Sequence, residues 1–78
     1  MKIKAGDMFY LDGAYQVFHT RDYLPVKIDP YNMVKKVKDN FSDHLKLRYM
    51  FQVLGTEYEV DIPKELIERY FKPIEDEL

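Results

Sequence analysis

The chain has 78 residues, 46% of them apolar and 15% aromatic, with no cysteine and a formal net charge of −2. That length holds one domain, 1–78, burying little more than roughly 60% of its unfolded surface, so its stability margin is thin. The apolar share excludes a disordered chain, the lack of cysteine excludes a disulfide framework or thiolate metal site, and no apolar run approaches the roughly 20 residues that span a bilayer.

The first expected element is a hairpin over residues 7–18 that turns at Asp12-Gly13, a dipeptide typical of short β-turns. A two-residue loop would mix Phe9 and Leu11 with Gln16 on one face. A three-residue loop, Leu11-Asp12-Gly13 with Gly13 in a left-handed bulge, gathers Phe9, Tyr15 and Val17 on one dry face and is preferred for that reason. Residues 23–28 read as a short strand that Pro25 confines to a sheet edge. Asp29-Pro30 has the form of a helix start, a capping side chain before a proline. Met33, Val34, Val37 and Phe41 then recur at three- and four-residue spacing, so the pattern predicts a helix over 30–39.

From residue 46 onward the period is two. Leu47, Tyr49, Phe51 and Val53, then Tyr58, Val60 and Ile62, form one apolar face, opposite Lys46, Arg48, Met50, Gln52, Glu57, Glu59 and Asp61. With Gly55 as first central residue of a type II′ turn, Val53 pairs with Tyr58 and Phe51 with Val60. At Pro63 the pattern becomes helical. Glu65 suits the positive end of the helix dipole, Leu66, Ile67, Tyr70 and Phe71 form the apolar stripe, and Pro73 is expected to end it. Ile74 is then expected to tuck against the sheet, with residues 75–77 as a solvated tail. Each hairpin is followed by an Ile/Asp/Pro helix start, an echo that duplication would explain but that any two short aromatic hairpins would also produce.

Residues 5–17, Ala-Gly-Asp-Met-Phe-Tyr-Leu-Asp-Gly-Ala-Tyr-Gln-Val, resemble the first two strands of small bacterial and phage β-barrels of the Src-homology-3 (SH3) kind. Those modules often begin with Gly-Asp, an apolar alternation, an Asp-Gly turn and Tyr-x-Val. Residues 60–71 similarly resemble their last strand and closing helical turn. The resemblance covers about half the chain, and residues 30–39 have no counterpart in the minimal barrel. It implies binding of protein or nucleic acid and assigns no binding residues. The composition is also similar to that of small phage accessory proteins.

Catalytic patterns are weak. Ser42-Asp43-His44 has triad residue types, but three consecutive residues seldom converge as a triad must, and a polar turn accounts for them better. His19 and His44 with Asp22 or Asp43 lack metal-ligand spacing, and Glu57, Glu59 and Asp61 fall on the polar side of their strand. The glycines are isolated, so no phosphate loop is present. No enzyme activity and no cofactor are expected.

Two surfaces carry the binding expectations. Met8, Tyr10 and Phe18 lie opposite the dry face of the first hairpin and, with Tyr23, would anchor a protein partner if left uncovered. Flanking strand edges would permit partner-strand addition or a homodimer. The alternative is a nucleic-acid interface built from Lys35, Lys36, Lys38, Lys46 and Arg48, for which an ordinary solvated face is the simpler account; residues 1–48 carry +3 and residues 49–78 carry −5.

The expected fold is α+β. Two antiparallel hairpins form a curved sheet or partly open SH3-like barrel, with one helix between them and one at the C-terminus. The expected function is a small cytoplasmic, non-enzymatic protein-binding or regulatory module, of which a phage-type modulator of a host protein is one form. Neither export nor membrane insertion is expected, because no apolar block follows the basic start.

Overall fold

A computed structural model describes residues 3–37 and 49–74, and in them burial alternates along almost every extended segment. The elements are β1 (Met8–Leu11), β2 (Gln16–His19), β3 (Pro25–Ile28), β4 (Met33–Lys36), β5 (Met50–Val53), β6 (Glu59–Asp61), α1 (Lys64–Tyr70) and β7 (Phe71–Pro73). The strands form one antiparallel sheet in the order β3-β2-β6-β5-β4-β1-β7. This corrects the expected α+β arrangement of two hairpins and two helices: among the described residues the fold is a seven-stranded open sheet with a single helix of seven residues.

Strands β1 and β2 do not pair with each other. β1 lies between β4 and β7, with Phe9 opposite Val34 and Pro73, while β2 lies between β3 and β6. Asp12-Gly13 therefore joins two distant parts of the sheet, and the segments before Pro30 and Pro63 are not equivalent units. Phe9 and Leu11 are buried, but Tyr15 and Val17, expected on the same dry face, are exposed, and Phe18 is in the core instead. An isolated two-stranded hairpin is marginal, whereas a central strand covers both apolar side chains, each worth roughly 1.5–3 kcal/mol when buried.

The expected helix over 30–39 is also absent as far as the described residues reach. Residues 29–32 form a turn closed by the Asn32 amide donating to the Asp29 carbonyl, with Pro30 second and Tyr31 third at a φ of 70°. Such a geometry is a type II turn, whose third position favours glycine. Chain extension follows because Val34 and Lys36 alternate inward against Val53 and Phe51. Lys36 is 1% exposed. Its stem serves as core while its Nζ donates to the Val37 carbonyl at 2.9 Å and sits 5.6 Å from the Tyr49 ring.

The β5–β6 register is the expected one, with Phe51 opposite Val60 and the Val53 amide donating to the Tyr58 carbonyl. The turn differs. Its closing bond runs from the Thr56 amide to the Val53 carbonyl, which makes Gly55, at φ 88°, the second central residue rather than the first. Helix α1 follows Pro63 with Glu65 in its first turn, and Ile67 is its buried anchor beside half-buried Leu66 and Tyr70. It ends at Tyr70, three residues before the expected Pro73. The Phe71 amide still donates to the Ile67 carbonyl, but the backbone then extends as β7, and Ile74 stays 36% exposed.

The sheet curls tightly. Five inter-strand steps would hold β2 and β7 roughly 24 Å apart if it were flat. The rings of Phe18 on β2 and Phe71 on β7 are 6.1 Å apart, so the two ends of the sheet meet over one core with Phe9 and Phe51 edge-on at 5.9 Å inside it. The outermost strands β3 and β7 do not pair.

Candidate functional site

The two sheet edges are poor templates for another strand. Hydrogen-bonded and non-bonded pairs alternate along an antiparallel ladder. The amide of Thr20 donates to the carbonyl of Leu24, so His19 and Pro25 form a non-bonded pair, and the side of Pro25 that faces away from the sheet has no N–H to offer. On β7 the amide of Ile74 donates to Met8, which turns Pro73 outward in the same way, and the outward amide of Phe71 is taken by Ile67. Lys27 and Lys72 add charge to the same edges. The side-chain surfaces, rather than the edge backbone, are therefore what the sheet leaves open to contact.

The β2–β3 hairpin ends in a three-residue loop, Arg21-Asp22-Tyr23, closed by the Thr20–Leu24 pair and by the Tyr23 amide donating to the Thr20 carbonyl at 2.9 Å. The Thr20 hydroxyl accepts the amides of Asp22 at 3.2 Å and Leu24 at 3.1 Å, which fixes the loop from inside. In such loops the third residue adopts left-handed backbone geometry, normally a glycine position. Here it is Tyr23, at φ 65° with 76% of its surface exposed. A left-handed non-glycine residue costs roughly 1–2 kcal/mol. The exposed ring recovers little of that through burial.

Beside this loop lies an open groove of about 600 Å³, with Leu24, Pro25, Met50 and Tyr58 as its apolar lining and Asp22, Glu57 and Glu59 on its rim. Leu24, Pro25 and Tyr58 continue into a second depression of about 580 Å³ along the outer side of β3, which reaches Asn32. Tyr23 thus marks one end of a continuous strip and the Tyr31-Asn32 turn the other. Tyr58, expected on the core face, is 40% exposed and forms the waist between the two.

The residues expected to form a protein-binding surface do not come together. Met8 and Tyr10 are half-buried on the outward side of β1, Tyr10 stacked on Tyr31 at 6.4 Å, while Phe18 is a core residue at 6% exposure and Tyr23 stands at the hairpin tip. Of the basic set, Lys35 is exposed on β4, Lys36 points inward, and Lys38, Lys46 and Arg48 lie outside the described residues, as does Ser42-Asp43-His44. His19 and Asp22 are exposed, and among the described residues no group of His, Asp or Glu is placed to hold a metal ion.

No protein-family model, curated protein or solved structure matches the chain. Among the described residues no helix is long and apolar enough to cross a membrane. The groove residues Leu24, Glu57, Tyr58 and Glu59 escape a sequence reading because Tyr58 and Glu59 look like ordinary strand alternation. Only Arg-Asp-Tyr before Leu24-Pro25, a bulky residue where a tight loop wants glycine, signals the tip.

Proposed function

We propose that this chain is a small non-enzymatic protein-binding module, acting in the cytoplasm as a modulator of another protein, and that the strip from Tyr23 to Tyr58 is its contact surface. The observation that carries this reading is Tyr23, an aromatic side chain kept at a φ of 65° and 76% exposed. Backbone strain of this kind persists where the surroundings enforce it and clusters at binding sites. The Thr20 hydroxyl supplies that enforcement. The guarded sheet edges favour recognition by side chains, and tyrosine combines large contact area with few rotatable bonds. The nucleic-acid alternative is weaker because Lys36, one of its cations, is inside the core.

Selection of a random 12-residue peptide display library on the immobilised protein tests the reading. Winning peptides should lose roughly tenfold or more in affinity on Tyr23→Ala or Tyr58→Ala, the loss typical of an aromatic anchor. Peptides indifferent to both substitutions, or a protein that selects no peptide yet retains oligonucleotides in a Lys35-dependent manner, would refute it.

A further inference from the structure

We infer that the groove at the β2–β3 tip takes an extended segment of a partner protein carrying arginine or lysine next to an aliphatic or aromatic residue, an inference that rests on the protein-binding reading above. Asp22, Glu57 and Glu59 stand around the apolar lining, all exposed, and none is in an ion pair among the described residues. Glu57 lies in the bend after Gly55 and Glu59 opens β6, and both line the groove together with Asp22 of the β2–β3 loop. The cation in the same lining, Arg21, already has a partner.

A guanidinium or ammonium group set between those carboxylates would lay its methylene stem over Leu24, Pro25 and Met50, so that one side chain satisfies both the charged rim and the apolar floor. Aromatic rings add to the match. The molecule already seats Lys27 4.5 Å from the Tyr15 ring and Lys36 5.6 Å from the Tyr49 ring, whereas among the described residues no cation sits over Tyr23 or Tyr58. The same carboxylates repel a phosphate backbone and an acidic peptide, so the rim selects against nucleic acid as well as for a basic segment.

The test uses peptides won from the 12-residue library, resynthesised and titrated against the whole chain at low and high salt. They should be enriched in Arg or Lys beside Leu, Phe or Tyr and weaken as salt rises. Glu57→Gln combined with Glu59→Gln should cost about three- to tenfold in affinity, the range for exposed charge pairs, while Glu65→Gln on α1 changes nothing. The amide variants keep side-chain shape, and an unchanged melting profile shows that they fold. Winning peptides that depend on Tyr23 but are neutral or acidic, or are indifferent to the Glu57/Glu59 pair, would overturn the charge inference and leave the binding module standing. Failure to win any peptide would overturn both. A concentration-dependent dimer that the double variant dissolves would overturn it in favour of a second copy of this chain.

Discussion

Replacing Tyr23 with glycine should stabilise the fold while removing its contact residue. At φ 65° a side chain collides with its own backbone, an energy of roughly 1–2 kcal/mol that glycine releases, against roughly 0.5–1 kcal/mol for glycine's freer unfolded chain. The ring is 76% exposed, so little burial is lost with it. The cleanest comparison is Tyr23→Ala against Tyr23→Gly, because alanine loses the ring but keeps the strain. Alanine should melt close to the native chain. Glycine should exceed alanine by about 1 kcal/mol, or about 6 °C for a domain of this size, in a thermal unfolding experiment followed by circular dichroism. Both should lose peptide binding to the same degree. A glycine variant no more stable than the alanine variant would show that the loop stores no strain, and the reasoning from Tyr23 to function would fail with it.

Four further outcomes follow from the packing. Lys36→Met keeps the buried stem and removes the ammonium, so urea unfolding should change by no more than about 1.5 kcal/mol, whereas Lys36→Ala opens a cavity and should cost about 2–4 kcal/mol. Phe51→Ala, at the centre of the core against Phe9, should cost about 3–5 kcal/mol, enough to leave a small domain largely unfolded in a one-dimensional proton spectrum. Gly55→Ala meets no atom within 4 Å of the added Cβ, so its loss of about 1 kcal/mol in urea unfolding should come from the φ of 88° alone. Thr20→Val removes the acceptor for the Asp22 and Leu24 amides and should lower stability by about 1 kcal/mol while speeding amide exchange at the tip.

What the sequence disclosed was local. The pairing of Phe51 with Val60, the edge position of the Pro25 strand and the apolar stripe of α1 were legible because each depends on alternation, a proline or a helical period within a few residues. Strand partners were not. An Asp-Gly turn and two alternating runs describe β1 and β2 well, yet nothing in them says that β1 prefers β4 and β7, since that choice is made by how many apolar faces the curled sheet covers. The segment after Pro30 misled for a different reason. Met33, Val34 and Val37 fit a helical period, but counting Lys36 as polar hid the Val34–Lys36 alternation that a buried lysine stem sustains. As for the site, Tyr23 was visible as an exposed aromatic, while its neighbours Tyr58, Glu57 and Glu59 belong to a hairpin distant in sequence that the pairing of β2 with β6 brings alongside.

The most direct measurement is an amide chemical-shift map of the whole chain titrated with a selected peptide. The account predicts that shifts concentrate at residues 20–25 and 57–59, with β1 and β7 unchanged. Shifts concentrated instead on Met8, Tyr10 and the Lys35 side of the sheet, with the Tyr23 loop silent, would contradict it.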